Sequence, residues 1–266
     1  MSLHLCSIDP RAKIGSGVQF GPFVTIYEDV EIGDDCWIGP NVTIMNGARI
    51  GKGVKIFPGA VISAEPQDLK YKNEPTVALI GDHTTIRECV TINRGTAWSG
   101  KTVIGSQCLI MAYSHVAHDC VIGNNCVIAN NAALAGHIVI EDYAVLGGIT
   151  AVHQFVKIGR HAFISGGSLV RKDVPPFVKA AKEPLSYMGV NTVGLRRRGY
   201  AEATINQIED IYRIIFIKNH NVSKAVSVVE AEVAPSAERD LIIDFIRKSE
   251  RGILKGYTNG RYDHFN

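Results

Sequence analysis

The strongest constraint in this sequence is an aliphatic residue that returns every six positions. Stepping by six from Ile8 to Val170 visits 28 positions, and 25 of them hold Ile, Leu, Val or Phe. Asp68, Glu74 and Trp98 are the exceptions. Because only 46% of the chain is hydrophobic, chance would fill about half of these positions. Such regular internal repetition predicts a repeat architecture.

A period of six fits neither an α-helix nor a β-hairpin meander. It fits short β-segments joined by corners, three to a coil, so that residues 18 apart stack at the strand spacing of about 4.8 Å. Glycine often follows the aliphatic residue, as at Gly15, Gly33 and Gly51, where tight turns need it. The sequence therefore predicts a mainly β fold, a parallel β-helix of hexapeptide repeats with roughly nine coils.

Four places after each aliphatic residue stands a smaller one, which indicates an inward slot of limited volume. Five of the six cysteines occupy this slot, and no pair has CxxC spacing. A free cysteine in such a place acts as a small buried hydrophobe, so we expect no role in disulfides or metal binding. The five are Cys6, Cys36, Cys108, Cys120 and Cys126.

Charge and hydropathy narrow the classes of partner. A formal net charge of +2 gives no general attraction to nucleic acid or membrane. The longest apolar run, Ile211 to Ile217, is interrupted by Arg213 and is far shorter than the roughly 20 residues of a membrane-spanning helix. Residues 1–10 lack the pattern of a signal peptide. We therefore expect a cytoplasmic protein without nucleic acid partners or stable membrane insertion.

The interruptions of the six-residue period, which we call the frame, fall in two polar loops, residues 65–76 (the first loop) and 96–102 (the second loop). Loops on a rigid scaffold often carry function. The frame ends at Pro175 and Pro176, and from about Ala201 the apolar residues follow helical spacing. Further helices are expected near Ser223 to Val233 and Ser236 to Lys248. We predict a β-helix domain over residues 1–190 and a small α-helical C-terminal domain over 191–266.

Three histidines belong to hexads whose first residues are 18 apart: His118, His137 and His153. Three β-segments per coil make a three-sided prism, and we expect the three histidines on one edge of it, one in each of three successive coils. The first and the last would then be about 10 Å apart. The three histidines could bind zinc, as in the carbonic anhydrases of this fold, or one could act as a general base with Asp119 as its carboxylate partner. Adjacent residues often point apart, so the sequence does not establish that pairing. Ser114 fills the inward slot, which disfavours a covalent mechanism.

Several segments together resemble the UDP-N-acetylglucosamine O-acyltransferases of lipid A synthesis, over nearly the whole chain. They are 65-EPQDLKYKNEP-75, 91-TINRGT-96, 114-SHVAHDC-120, 134-LAGH-137, 150-TAVHQF-155, 173-DVPPF-177 and 190-VNTVGLRRRG-199. The resemblance implies a left-handed β-helix, a homotrimer with sites between subunits, and no cofactor or metal. It also implies transfer of a 3-hydroxyacyl chain from acyl carrier protein to the 3-hydroxyl of UDP-N-acetylglucosamine.

The resemblance also implies roles for individual residues. His118 matches the general base, Asp119 its orienting carboxylate, and Gly136 the residue whose backbone N–H stabilises the oxyanion. The matches to substrate-binding positions are His115, His137, His153 and Gln154 in the pocket, Gln67, Asp68 and Lys70 in the first loop, and Asn191, Arg197 and Arg198 for the nucleotide.

Two positions bear on specificity. Gly166 matches the position that sets acyl length, and because glycine leaves room there we expect a long chain, although Phe163 nearby could shorten it. Val193 stands where the family commonly has an acidic residue, which puts one ribose or base contact in doubt.

Other functions stay open from the sequence alone. The related N-acyltransferase, which uses a 3-amino acceptor, normally has an additional N-terminal domain, and here the repeats begin by Ile8. An acetyl-CoA-dependent acetyltransferase would not explain the QDLKY and GLRRRG segments. A zinc protein like the carbonic anhydrases, or a purely structural β-helix, would use the histidines differently or not at all.

Overall fold

A computed structural model describes residues 5–218 and 221–256 of the chain, and three parallel sheets make up most of it. The first sheet contains β1 (Ser7–Ile8), β4 (Thr25–Ile26), β7 (Thr43–Ile44), β10 (Val61–Ala64), β13 (Thr91–Asn93), β16 (His115–Val116), β19 (Ala133–Leu134), β22 (Ala151–Val152) and β25 (Leu169–Val170). The second contains β2 (Lys13–Ile14), β5 (Val30–Ile32), β8 (Ala48–Ile50), β11 (Val77–Ile80), β14 (Lys101–Ile104), β17 (Val121–Ile122), β20 (Val139–Ile140) and β23 (Lys157–Ile158).

The third sheet begins with β3 (Gln19–Phe20), β6 (Trp37–Ile38), β9 (Lys55–Ile56), β12 (Thr85–Ile86), β15 (Leu109–Ile110), β18 (Val127–Ile128), β21 (Val145–Leu146) and β24 (Phe163–Ile164). The three sheets are the faces of a left-handed parallel β-helix, which confirms the predicted fold class and the hand implied by the resemblance. Most stacked partners are 18 residues apart, as in the pairing of His115 with Ala133. The two loops interrupt this register, because Val61 pairs with Thr91 and Thr91 with His115.

The aliphatic residues of the six-residue frame point into the prism and form its core. Ile38, Ile44 and Ile56 are among the side chains with no exposed surface. The smaller slot behaves as predicted, since Cys36 and Cys120 are buried and donate weak hydrogen bonds to carbonyl groups. All six cysteines are free thiols.

Three edges join the sheets of the prism. The first edge joins the first sheet to the second and includes residues 117–120, 135–138 and 153–156. The second edge joins the second sheet to the third and includes residues 141–144 and 159–162. The third edge joins the third sheet to the first and includes residues 147–150 and 165–168.

At these corners the third residue after the aliphatic one adopts a left-handed backbone conformation. Asp119 has φ 60° and His137 has φ 64° on the first edge, and Tyr143 and His161 have φ 64° and 57° on the second. Such conformations are unfavourable for residues other than glycine, asparagine and aspartate. They end the in-and-out alternation of a strand, so neighbouring side chains at a corner can converge.

The remaining residues cap the β-helix. β26 (Val178–Ala181) extends the third sheet, β27 (Ser186–Val190) pairs with β26 in antiparallel fashion, and β28 (Lys255–Gly256) pairs with β27. Between β27 and β28 lie α1 (Thr192–Arg197), α2 (Glu202–Arg213), a π-helical turn (Ile214–Lys218), α3 (Val222–Glu232) and α4 (Ala237–Arg247).

Two predicted helices agree closely with α3 and α4. The helical region starts earlier than the expected Ala201, because the Asn191 side chain accepts a hydrogen bond from Gly194 N–H and caps α1. The domain division at residue 190 stays a prediction, and residues 1–4, 219–220 and 257–266 of the two predicted domains lie outside the described residues. In the described part of the chain, no helix has the length and apolar character that crossing a membrane requires.

Candidate active site

His118 and Asp119 form a hydrogen-bonded pair on the first edge. His118 Nδ1 lies 2.7 Å from Asp119 Oδ2, and both side chains are buried. An ionised carboxylate can only accept, so Nδ1 carries a proton, and in the neutral ring the lone pair is then on Nε2. The left-handed conformation of Asp119 brings the two adjacent side chains together. The pair therefore has the arrangement of a general base with its orienting carboxylate.

The second loop surrounds the carboxylate of Asp119. Its oxygens accept hydrogen bonds from the backbone N–H groups of Thr96 and Ser99 at 3.1 and 3.3 Å, from Thr96 Oγ1 at 2.7 Å, and from Ser99 Oγ. Burial alone would raise the pKa of Asp119, but hydrogen bonds from Ser99, His118 and Thr96 outweigh it and lower that pKa. The sequence indicates a functional loop here, but it does not single out these two residues.

Gly136 makes room for the His118 ring. A Cβ atom at Gly136 would lie 2.7 Å from Cε1 and 2.9 Å from Nε2 of His118, closer than real contacts allow. Among the described residues, the Gly136 N–H has no hydrogen-bond acceptor, whereas its carbonyl accepts from Phe155 N–H. A backbone donor without a partner thus lies beside the free nitrogen of His118.

His137 forms the wall of this site. Its ring is 5.0 Å from that of His118, stacks on Phe155 at 4.4 Å and contacts Trp98 at 4.6 Å. Burial lowers the pKa of His137, and the carboxylates of Asp119 and Asp68 only partly offset this. Its Nδ1 is buried without a hydrogen-bond partner in the described structure. Trp98 and Phe155 are site residues that the sequence pattern does not identify as such.

His115 and His153 occupy different surroundings. His115 lies on β16, where its Nδ1 is 2.7 Å from Thr91 Oγ1; burial and then His118 lower its pKa. His153 lies on the predicted edge, but it is exposed and its Nδ1 lies 3.2 Å from the Gln154 carbonyl oxygen. It stands one residue after its aliphatic position, whereas His118 stands two and His137 three after theirs. The structure therefore brings the rings of His118 and His137 together and leaves His153 apart from them, at a different position within its hexad.

The first loop borders the same edge. Arg94 fixes its base, because Nε and Nη2 donate to Tyr71 Oη at 3.0 and 2.8 Å, and Nη1 donates to the Ser63 carbonyl. Asp68 is close enough to His137 to influence its pKa. Gln67 and Lys70 are exposed on this loop.

A second group of predicted residues lies on the second edge. Arg198 is placed over the Tyr143 ring, 4.2 Å from its centroid, and Tyr143 stacks on His161 at 4.9 Å. Burial first, and then Arg198 and Arg160, lower the pKa of His161 to about 4. Among the described residues, no carboxylate pairs with Arg197 or Arg198, whereas Arg196 is paired with Glu202.

Asn191 uses both ends of its amide within the protein. Its Oδ1 caps α1, and its Nδ2 donates to the His161 carbonyl at 2.9 Å. In this geometry Asn191 holds α1, and with it the exposed Arg197, against the second edge. Val193 on α1 is 57% exposed.

The two groups have the same height on the prism but occupy different edges. Tyr143 follows His137 by six residues in the same coil, and His161 follows Phe155 in the same way. The second sheet lies between the two groups, and the six residues that lead across it span at most about 20 Å. Gly166 lies on the third edge, where an added Cβ would approach the Gly148 carbonyl to 3.0 Å. Within one chain, the structure brings neither Arg198 nor Gly166 into the His118 site.

One set of metal-ligand types occurs at the site within the described residues. Ligand atoms of His118, Asp119 and His137 all lie within 4.8 Å of one another. The Asp119 oxygens already accept five hydrogen bonds, which a zinc ion would have to disrupt. A zinc site with three histidines would need His153 in place of Asp119, and the structure does not assemble that set.

Comparison with protein families gives two matches. Residues 173–254 match the family model "Udp N-acetylglucosamine O-acyltransferase; Domain 2", and residues 29–64 and 101–136 match the bacterial transferase hexapeptide model. The curated O-acyltransferase of Thiobacillus denitrificans, which is named for acyl-[acyl-carrier-protein] and UDP-N-acetylglucosamine, is 41% identical over 93% of this chain and 96% of its own length.

Solved structures give the same assignment of similarity. The UDP-N-acetylglucosamine acyltransferase of Bacteroides fragilis superimposes with a TM-score of 0.94 at 49% identity, covering 96% of this chain and 100% of its own. The corresponding structure from Acinetobacter baumannii superimposes with a TM-score of 0.92 at 39% identity, covering 95% and 98%.

Proposed function

Because this chain belongs to the acyl-[acyl-carrier-protein]–UDP-N-acetylglucosamine O-acyltransferase family, we propose that it transfers a 3-hydroxyacyl chain from acyl carrier protein to the 3-hydroxyl of UDP-N-acetylglucosamine. The product would enter lipid A synthesis. The observation that carries this proposal is the buried His118–Asp119 pair beside the unpartnered N–H of Gly136.

In the proposed reaction His118 Nε2 removes the proton of the sugar hydroxyl as the oxygen attacks the thioester carbonyl. Asp119 fixes the tautomer and stabilises the charged ring. The Gly136 N–H donates to the carbonyl oxygen as negative charge develops there, an interaction often worth about 3 kcal/mol. Collapse of the intermediate breaks the carbon–sulfur bond, and the proton on His118 passes to the departing thiolate. No cofactor or metal takes part.

The acceptor nucleotide would be bound by the second edge. Arg197 and Arg198 have no carboxylate partners in the described structure and can donate to diphosphate oxygens. Asn191 fixes the helix that carries Arg197. The remaining pocket is assigned to His115, His137, His153, Gln154, Gln67, Asp68 and Lys70, and acyl length to Gly166.

Two such edges can meet only if copies of the chain associate. A threefold axis parallel to the prism keeps every residue at its own height, so the first edge of one copy can face the second edge of the next. The second sheet lies between these edges, and its outward residues Leu79, Val103, Val121 and Val139 form an apolar stripe. We propose a homotrimer in which this sheet faces the axis.

The proposal is tested by incubating the protein with UDP-N-acetylglucosamine, or its 3-amino analogue, and carrier proteins bearing 3-hydroxyacyl chains of different length. We expect an ester on the sugar 3-hydroxyl, with the longer donors preferred. His118→Ala should abolish transfer, whereas His83→Ala, at an exposed corner of the second edge, should not. Chelation should leave activity unchanged, and one zinc per active chain would favour the metal-binding alternative.

A further inference from the structure

The carboxylate of Asp119 is held by a segment of chain far from it in sequence. Its side chain has no exposed surface, and four of its five hydrogen bonds come from Thr96 and Ser99 in the second loop. The fifth comes from His118. The loop inserted between β13 and β14 therefore makes most of the polar contacts of the site's central acid.

The hydroxyl of Thr96 has a defined direction. Thr96 Oγ1 accepts a hydrogen bond from Trp98 N–H at 3.2 Å, and its own proton is thereby free to be donated to Asp119 Oδ2 at 2.7 Å. The same oxygen, Oδ2, accepts the Nδ1–H of His118. Thr96 and His118 thus bind one carboxylate oxygen from two sides.

Ser99 acts on the other oxygen. Its backbone N–H and its hydroxyl both reach Asp119 Oδ1. The hydroxyl also accepts from Lys101 N–H at 3.3 Å and lies 2.8 Å from the Lys101 carbonyl oxygen, a second acceptor for its single proton. With Oδ1 held by Ser99 and Thr96 N–H, rotation of the carboxylate would break several bonds at once. The orientation of Asp119 Oδ2 toward His118 is therefore set by residues of the second loop.

We propose that Thr96 and Ser99 are positioning residues for the acyl transfer, which keep Asp119 ionised and oriented so that His118 presents an unprotonated Nε2. This inference rests on the proposed function for its kinetic consequences only. The geometry on which it stands is that of the free protein, so a spectroscopic test does not depend on the identity of the substrate.

The kinetic test compares variants that remove a hydroxyl with variants that keep it. Thr96→Val and Ser99→Ala should each lower kcat about 10- to 100-fold, because hydrogen bonds to a charged group are lost, while KM for UDP-N-acetylglucosamine changes less than about threefold. The acid limb of the kcat profile should move to higher pH, since an Asp119 with fewer donors is protonated more easily. Thr96→Ser and Ser99→Thr should retain most activity, and Ser227→Ala on α3 is the matched control.

The spectroscopic test observes the His118 Nδ1–H proton by NMR, assigned by its absence in His118→Ala. Thr96→Val and Ser99→Ala should shift this resonance or accelerate its exchange with water, and Ser227→Ala should not. An unmoved resonance, or a loss of thermal stability with kcat and the pH profile unchanged, overturns the inference. If the wild-type protein transfers no acyl chain to any acceptor, the proposed function fails while the resonance still decides whether the second loop positions His118.

Discussion

The first and second edges of the prism have nearly the same framework and opposite chemistry. Each has a histidine in the left-handed corner position, stacked on an aromatic ring: His137 on Phe155 and His161 on Tyr143. Burial lowers both pKa values. Asp119 acts against this at His137, whereas at His161 Arg198 and Arg160 reinforce it more than Asp142 opposes it. The repeat supplies the same corner on both edges, and the charged side chains around it differ, a carboxylate at His137 and arginines at His161.

The largest expected effect comes from removing the negative charge of Asp119 on the first edge. Asp119→Asn should reduce kcat by about 10³-fold or more, because the amide no longer stabilises the charged imidazole and can impose the wrong tautomer. Asp142→Asn tests a carboxylate on the second edge, where Asp142 accepts from Asn124 N–H. Steady-state kinetics should show less than about a threefold change there. Equal losses in the two variants would remove the distinction between the edges.

Removing the positive charges of the second edge should affect binding more than the chemical step. Arg197→Ala combined with Arg198→Ala should raise KM for UDP-N-acetylglucosamine about 10- to 100-fold and leave kcat at saturation within about threefold. Titration of initial rates against the nucleotide sugar measures both. Arg196→Ala is the matched control, since Arg196 is already paired with Glu202. A large fall in kcat with KM unchanged would assign these arginines to the chemical step instead.

A smaller effect is expected from adding one methyl group to the first edge. Gly136→Ala places Cβ 2.7 Å from the His118 ring, so the ring or the backbone must shift. We expect kcat to fall about tenfold or more, as oxyanion donors that are displaced cost activity, with little change in melting temperature. Normal kcat in a folded Gly136→Ala protein would show that neither the ring position nor this N–H is needed.

The smallest effect on activity concerns His161, whose protonation should alter stability. Its pKa is about 4 when folded, below the ordinary value of 6.5, so the unfolded chain binds the proton first as pH falls. The contribution of neutral His161 to the free energy of unfolding is therefore fully present above pH 6.5 and falls by about 3 kcal/mol as the pH approaches 4. Urea unfolding at several pH values should show a weaker pH dependence in His161→Phe than in wild type. An unchanged dependence would mean that His161 titrates normally.

The core was predictable from the sequence because a period of six leaves few alternatives. The inward aliphatic positions, the buried cysteines and the shared edge of the three histidines all follow from counting. The separation of His153 from the other two could also have been derived, because it stands only one residue after its aliphatic position. The convergence of His118 and Asp119 was less accessible, since strand alternation makes neighbouring side chains point apart.

A signal for that convergence is nevertheless present in the sequence. Asp119 is the third residue after an aliphatic position, and the same position in other hexads holds Asp35, Asn41, Asn125 and Asn131. Aspartate and asparagine are the residue types that tolerate left-handed corners. The contacts of Thr96 and Ser99 have no such signal. They depend on the path of an irregular loop, and the repeat does not determine that path.

We propose that catalysis uses the first edge of one copy and the second edge of another, and mixing a variant of each edge, one inactive and one weak in nucleotide binding, tests this most directly. One variant is His118→Ala, and the other combines Arg197→Ala with Arg198→Ala, with acyl transfer measured below the wild-type KM for the nucleotide sugar. Random assembly from equal amounts should leave about a quarter of the sites with both edges intact, and that share of wild-type activity should appear. Activity no greater than the mean of the two separate variants would contradict the claim.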